Sequence, residues 1–366
     1  MNILIPVLGF GNSGGYRVLS NIASELVMLG HQVDFLSPNT SAQPYFPTKA
    51  GVLWIRENGR LTLVHDQSSA KSNALSMQLQ LTKALRQKTI DNYDIIFANH
   101  SLTVLPIKKA GLLNKVVYYV QAYEPGFYQQ MGGIKNFILA HFSKKSYQYN
   151  LFTIVNAAVY LNYKEIKASR VLYPGIDFNF FYPAIAKKDT ADAITLGTIG
   201  RKEKYKGTTY ILDAFSQIKK LYPLAKLRVA FGKQEDFENM AGIECVQPHG
   251  DKALAEFYRG LDYYICAGYT QPGAFHYPVS EAMSCGIPVL TTHYYPATTE
   301  NAWMLEPKNS SSIVSQFKKA HQMHDLREQK QQQGLFDVKQ FDWQHVGKKL
   351  EQYFIEFSNQ YLKQNT

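Results

Sequence analysis

Short apolar runs alternate along the chain with longer stretches in which apolar residues recur at helical spacing, the pattern of parallel α/β architecture. In the first half, NILIPVL, QVDFLS, DIIFAN and KVVYYV read as buried strands. GYRVLSNIASELVMLG reads as a helix, with Val18, Ile22, Leu26 and Leu29 on one face and Gly30 as its stop. SNALSMQLQLTKALRQ and IKNFILAHFSKKSYQYN are two further helices, the second apolar on one side and basic at its end. The alternation then restarts. AITLGTIG, AKLRVAFG, IECVQ, DYYICAG, IPVLTT and AWMLEP are the strands, and TTYILDAFSQIKKLY, DKALAEFYRGL and PVSEAMSCG the helices between them. The stretch between the halves, residues 173–193, is rich in Pro, Gly and Asp and predicts a hinge. A Gln/Lys-rich helix over about 310–334 and a last amphipathic helix, FDWQHVGKKLEQYFIEFSNQYL, close the chain. There is no repeat of solenoid length. The pattern predicts two doubly wound α/β domains, with ligands at the carboxyl ends of their strands.

Composition adds little to this picture, and charge adds more. Of 366 residues, 45% are hydrophobic and 19% charged, as in an ordinary soluble protein large enough for two domains. MNILIPVLGF carries no basic n-region and reads as a first strand rather than a leader. No uninterrupted apolar window reaches the roughly 18 residues of a membrane span. Three cysteines with no C-x-x-C pair suit a reducing compartment and offer no disulfide or zinc framework. Of the net charge of +10, residues 1–180 hold +8, with 17 Lys and Arg against 9 Asp and Glu. That asymmetry points to an anionic partner, or to a solvated basic surface.

Three stretches carry candidate chemistry. GFGNSGG, residues 9–15, joins the first strand to the first helix, where glycines let a ligand approach the backbone and a helix N-terminus favours phosphate. It lacks the spacing of the dinucleotide fingerprint and could simply be a tight turn. GTIGRKEKYKG, residues 197–207, makes the same transition in the second half and adds Arg201 and Lys206, with Lys202 and Lys204 beside them. A guanidinium fork and an ammonium on one strand-end loop suit a diphosphate, the bland alternative being a solvated basic loop. GAFHYPVSEAMSCGIPV, residues 273–289, holds a single acid, Glu281, at the mouth of a short helix of small residues. A carboxylate there can accept from two vicinal hydroxyls, or serve the helix as an N-terminal anion.

Taken together these segments resemble the retaining glycosyltransferases of the GT-B fold, specifically glycosyltransferase family 4, over nearly the whole chain. GNSGGYRVLSNIASELVMLGHQVDFLSP is similar to the opening Gly-Gly loop, helix and G-H-x-V strand of that family, and YPGIDFNFFYP to its interdomain N-G-V-D-x-x-x-F-x-P signature. GRKEKYKG is similar to its G-R-x-x-x-x-K-G diphosphate loop, and PVSEAMSCGIPVLTT to its L-E-A-M-A-C-G-x-P-V-I-A-S element. FDWQHVGKKLEQYF resembles its terminal helix, which crosses back onto the first domain. The resemblance implies two Rossmann-like domains facing a central cleft. Residues 1–173 would bind the acceptor, 174–340 would bind a nucleotide sugar, and the helix over 341–366 would return to the first domain. It implies donor contacts from Gly14, Gly15, Gly200, Phe275, His276, Tyr277 and Glu281, the last through the ribose, with Arg201 and Lys206 stabilising the leaving diphosphate.

Two departures stand out. The family's first acid of E-x7-E, which contacts the transferred sugar, is Gly273 here, and a family His at the end of the fourth strand is Gln121. Gln cannot act as a general base, so the acceptor side is left with Asn99, His100, Gln121 and Glu124 as candidates. QAYEPGFY resembles segments of deoxyhexose-transferring members. No D-x-D stands in a suitable loop, and no H-E-x-x-H, G-x-S-x-G or Walker sequence occurs, so neither a metal nor another cofactor is expected. The resulting expectation is a metal-independent, retaining transfer of a hexose, or a deoxyhexose such as rhamnose, from a nucleoside-diphosphate sugar. The acceptor would be a glycan or lipid-linked glycan of the cell surface. The site of action would be the cytoplasm, either free or peripheral on the inner face of the plasma membrane. Ile134, Phe137, Ile138 and His141 would either be core or face lipid, in the second case with Lys135, Lys144 and Lys145 near anionic headgroups, and no nucleic acid is expected as partner. A sugar-nucleotide epimerase of the same fold needs acids and a base around the sugar, which Gly273 and Gln121 disfavour. A non-catalytic sugar-nucleotide-binding relic is the other alternative.

Overall fold

The computed structural model describes residues 1–66, 74–184, 194–200, 203–237 and 240–364. The chain forms two compact units, one of residues 1–175 with 343–366, the other of residues 176–342.

The first unit is built on eight strands: β1 (Asn2–Pro6), β2 (Gln32–Pro38), β3 (Gly51–Ile55), β4 (Leu61–Thr62), β5 (Ile95–Ala98), β6 (Val116–Val120), β7 (Phe152–Val155) and β8 (Arg170–Val171). They lie in the order β4-β3-β2-β1-β5-β6-β7-β8, parallel throughout except for the short β3–β4 pair. The central strands are apolar along their whole length because both faces are covered: every residue of β5 and β6 is buried. The helices are α1 (Gly14–Met28), α2 (Ala74–Leu85), α3 (Ser101–Lys109), α4 (Glu124–Met131) and α5 (Ile134–Tyr147). Val18, Ile22 and Leu26 of α1 are buried. Gly30, at φ 89°, ends the helix, with the His31 N–H bonded to the Leu26 carbonyl and the Gly30 N–H to that of Val27, a Schellman closure. Strand order reverses between β1 and β5, so their carboxyl ends diverge and leave a crevice.

The second unit carries six parallel strands, β9 (Thr195–Ile199), β10 (Lys226–Ala230), β11 (Ile243–Val246), β12 (Tyr263–Cys266), β13 (Val289–Thr291) and β14 (Trp303–Met304). Their order is β11-β10-β9-β12-β13-β14, with the reversal between β9 and β12. Helices α6 (Thr208–Leu221), α7 (Gly250–Arg259), α8 (Tyr277–Ser284), α9 (Ser310–Gln322) and α10 (His324–Val338) cover it. Ile211, Phe215 and Ile218 of α6 and Phe317 of α9 pack with Leu227 and Ile265 of the sheet in one core. The stretch over 310–334, expected as a single helix, is two. Met323 leaves helical geometry at φ −97° and ψ 74°, and its N–H turns back to the Lys319 carbonyl. The last helix, α11 (Trp343–Gln364), belongs to the first unit and packs on α1. No helix among the described residues is long and apolar enough to cross a membrane.

Candidate functional site

The crevice at the carboxyl ends of β1, β5 and β6 is a pocket of about 360 Å3 lined by Ser13, Gly15, Tyr16, Asn99, His100, Gln121 and Glu124 among others. All four acceptor-side candidates thus line one site. Asn99 stitches the two diverging strands, its Nδ2 donating to the Pro6 carbonyl (2.9 Å) and to that of Phe97 (3.3 Å). Glu124, buried at 9% exposure, sets its carboxylate on the first turn of α3, accepting the Ser101 N–H at 3.0 Å and 3.3 Å. This satisfies a backbone donor that an α-helix leaves open and places an anion where the helix dipole favours one. His100 caps the same helix: its Nδ1 accepts the Leu102 N–H at 3.1 Å. A neutral His100 therefore carries its proton on Nε2, which lies 3.7 Å from Glu124 Oε1. Burial first, then the charge of Glu124, raises the Tyr128 hydroxyl to about 12 and that of Tyr118 well above its ordinary value.

Gln121 Oε1 is buried and has no hydrogen-bond partner among the described residues. A Cβ on Gly15 would stand 3.4 Å from that oxygen, so glycine there keeps the space over the amide clear. Gly14 and Gly15 open α1, whose N-cap Ser13 makes no side-chain cap bond. Ser13 and Tyr16 line the pocket too, and the glycine-rich loop that contains or adjoins them was the signal that could have identified them.

In the second unit the corresponding position, at the ends of β9 and β12, holds the other group of candidates. Arg201 lies outside the described residues. Gly200 sits where a Cβ would stand 2.7 Å from Val229 Cγ1 and 3.0 Å from the Gly232 backbone. Lys206 closes a 3-10 turn, Lys204–Lys206, and Gly207 follows at φ 76°, with its missing Cβ only 2.6 Å from the Ala267 carbonyl carbon. Tyr269 N–H donates to the Tyr205 carbonyl at 3.0 Å, fixing the same loop to the end of β12. The turn delivers the chain into α6, whose N-cap is Gly207, a residue with no side chain to cap the helix. Burial raises the Cys266 thiol, and a backbone hydrogen bond from Gly268 and then the Lys206 ammonium act in the opposite sense.

Beyond β12, Gly273 stands at φ 82°, a left-handed conformation that an L side chain adopts only at a cost. Phe275 forms a β-bridge with Tyr295 and an edge contact with Tyr277 at 5.4 Å. His276 stacks on Tyr294 at 4.4 Å, with its Nδ1 3.8 Å from Cys266 Sγ. Glu281 is not at the mouth of α8. The helix begins at Tyr277 with His276 as N-cap, and Glu281 lies in its second turn, 2% exposed, accepting the Tyr258 hydroxyl at 2.9 Å. Burial, then the charge of Glu281, holds that hydroxyl well above its ordinary pKa. Tyr258 and Tyr294 carried no signal in the sequence, since each meets its partner across a long stretch of chain. Gly207 did, as the last residue of the basic loop. Among the described residues no cluster of three or more His, Cys, Asp and Glu could hold a metal ion.

Residues 193–322 match the family model described as glycosyl transferases group 1. No curated protein matches the chain. Among solved structures, sucrose-phosphate synthase from Thermosynechococcus elongatus superimposes with a TM-score of 0.74 at 16% identity, covering 97% of this chain and 98% of that one. HepE from Anabaena, solved with UDP-glucose, gives 0.70 at 15% identity over 97% and 100%. WaaG, a glycosyltransferase involved in lipopolysaccharide biosynthesis, gives 0.69 at 16% over 95% and 98%. The chain therefore has the two-unit α/β fold of the GT-B glycosyltransferases and resembles their group 1 family, whose model its residues 193–322 match.

Proposed function

We propose that the protein is a retaining, metal-independent glycosyltransferase that moves a hexose or deoxyhexose from a nucleoside-diphosphate sugar to a glycan or lipid-linked acceptor. The observation that carries this reading is the Gly207 turn. A left-handed glycine pressed against Ala267 sets Lys206 and the start of α6 at the ends of β9 and β12. Backbone N–H groups at a helix start, together with a fixed cation, suit the diphosphate of a sugar nucleotide. In this reading Gly200 admits the diphosphate close to the backbone, and Arg201 adds a guanidinium fork beside Lys206. Phe275, His276 and Tyr277 present the stretch that meets the donor sugar. Glu281, held by Tyr258, accepts from the ribose hydroxyls.

As the sugar–phosphate bond breaks, positive charge develops at the anomeric carbon and negative charge on the leaving diphosphate. Lys206, Arg201 and the α6 amides stabilise that negative charge without having to reorganise. The acceptor sugar occupies the pocket of the first unit, where Gln121 Oε1 accepts from a hydroxyl and the Gly14–Gly15 amides open toward it. The groups that line the pocket are engaged in holding α3, with His100 Nδ1 accepting the Leu102 N–H and the Glu124 carboxylate accepting the Ser101 N–H, and Gln121 cannot act as a base. In this reading the acceptor proton passes to the leaving phosphate oxygen on the same face, and configuration is retained. Gly273 stands where the resemblance would put the first acid, and an epimerase needs acids around the sugar ring, which favours transfer over epimerisation. The acceptor is a growing cell-surface glycan met on the cytoplasmic face of the membrane.

The test is a thermal-shift panel of nucleotides and sugar nucleotides, beginning with UDP and UDP-glucose because HepE was solved with them. A nucleoside diphosphate is expected to raise the melting temperature, and the matching sugar nucleotide to raise it at least as much. If no diphosphate nucleotide shifts it, the donor reading fails.

A further inference from the structure

The first unit holds a second cavity, of about 640 Å3, bordered by α2, α3 and α5. This lies in the roughly 300–1,000 Å3 range of small-molecule sites. Its apolar wall is made by Leu102 and Leu105 of α3 and by Ile138, Leu139 and Phe142 of α5. Ile138 and Phe142 are 48% and 46% exposed, so the groove opens to the surface. Three exposed lysines also line it, Lys109, Lys135 and Lys145, and no acid does. None of the three forms an ion pair with another described residue. An apolar channel bordered by unpaired cations complements one kind of molecule: a hydrocarbon chain with an anionic head.

Ser101 connects this groove to the acceptor pocket. It lines the groove, its hydroxyl shares a hydrogen bond with Ser143 at 2.7 Å, and its N–H bonds the Glu124 carboxylate that lines the pocket. The two cavities thus meet on opposite sides of one helix start. We propose that the groove holds the hydrocarbon chain of an anionic lipid, a prenyl or acyl phosphate, whose phosphate is attracted by the lysines that border the groove, Lys109, Lys135 and Lys145. The statement that this lipid anchors the acceptor rests on the function proposed above; the binding itself does not. Ile134 and Phe137 on the same helix are 83% and 72% exposed but do not line the groove, which separates a chain-binding site from mere adsorption to a bilayer.

Isothermal titration with dodecyl phosphate, kept below its micelle-forming concentration, tests this, with inorganic phosphate and dodecyl maltoside as comparators. Saturable binding of one dodecyl phosphate per chain is expected, at least about tenfold tighter than either comparator. The double variant Ile138→Asp/Phe142→Asp should weaken it by about tenfold or more, as should the triple variant Lys109→Gln/Lys135→Gln/Lys145→Gln, which leaves the apolar wall intact. Ile134→Asp/Phe137→Asp should leave it unchanged. The proposal is overturned if dodecyl phosphate does not bind saturably, if either comparator binds as tightly, or if the off-groove variant loses binding as the groove variant does. No donor is present in this titration, so its failure alongside a retained nucleotide thermal shift would reject the lipid site alone.

Discussion

Glu281 shows how a residue's meaning changes between sequence and structure. Its spacing marked it as the acid of a conserved-looking element, and a carboxylate in that place can accept from a ribose. What the spacing did not reveal is its depth: it is 2% exposed and bonded to Tyr258, a residue on a different helix. Tyr258→Phe should therefore destabilise the protein by about 1.5–3 kcal/mol, the range for a hydrogen bond to a charged group, measured by denaturant unfolding. A smaller change would mean that Glu281 does not depend on that hydroxyl. Glu281→Gln should lower both stability and nucleotide affinity, where an exposed ribose contact would lower affinity alone. The glycines separate in the same way. Gly30 and Gly207 both have positive φ, but nothing stands within 4 Å of a Cβ at Gly30, while at Gly207 the Ala267 backbone is in the way. Gly30→Ala should cost only the left-handed conformation, about 1–2 kcal/mol. Gly207→Ala should cost clearly more and disturb the loop that holds Lys206, read by unfolding and by loss of the nucleotide thermal shift. Equal costs would show that the close approach to Ala267 is not rigid. A sequence marks both residues as turn glycines and cannot tell them apart, because the difference lies in a neighbour 60 residues away.

At the scale of elements, the helices that the sequence displayed best are those with a regular apolar face and a glycine stop, as in α1. Helix α3 was hidden because SLTVLPIKK is apolar on all sides and contains Pro106, so no helical period shows and a breaker stands within it. Helix α4 was hidden by the Pro and Gly of EPGFYQQM. These two helices carry the Ser101–Glu124 bond, so the acceptor pocket could be read as residues but not as a constellation. Helix α11 shows a different dependence. Gly347 faces Glu25 of α1 so closely that a Cβ would stand 2.7 Å from the Glu25 Cβ, and Arg170 beside β7 donates through Nε to Glu356 Oε2 at 2.9 Å. The Arg170 hydrogen bond holds the Glu356 carboxyl below its ordinary pKa, with burial opposing it. A depressed folded pKa contributes stability above the ordinary carboxylate range, and that stability is lost as pH falls through the folded value. The Glu356 side chain is 43% exposed, so the pair should contribute less than about 1 kcal/mol near neutral pH. Glu356→Gln should remove that part of the acid-side decline in melting temperature, whereas an unchanged acid limb would mean the pair does not hold α11. Gly347→Val should do more harm than either charge change, by forcing α11 away from α1.

For the whole molecule, the restart of strand–helix alternation and the parallel order of both sheets were legible, because parallel strands covered on both faces are continuous apolar runs. The strands β3, β4, β7 and β8 were not, being only two to five residues long. A cluster of cations within one loop, as in GRKEKYKG, shows in a sequence, whereas a constellation that joins distant elements, such as Ser101 with Glu124, does not. In the function proposed above, Lys206 and Arg201 neutralise a diphosphate that leaves during sugar transfer. Interactions that strengthen only as the bond breaks act on kcat rather than on KM alone. The most direct measurement is steady-state release of nucleoside diphosphate from the sugar nucleotide picked out by the thermal-shift panel, with and without a membrane-glycan extract as acceptor, in the wild-type protein and in folded Lys206→Ala and Arg201→Ala. Acceptor-dependent release is expected, with a loss of about a hundred- to a thousand-fold in kcat for each variant, some 2.7–4 kcal/mol of transition-state stabilisation. Acceptor-dependent release at near wild-type kcat in both variants would contradict that function.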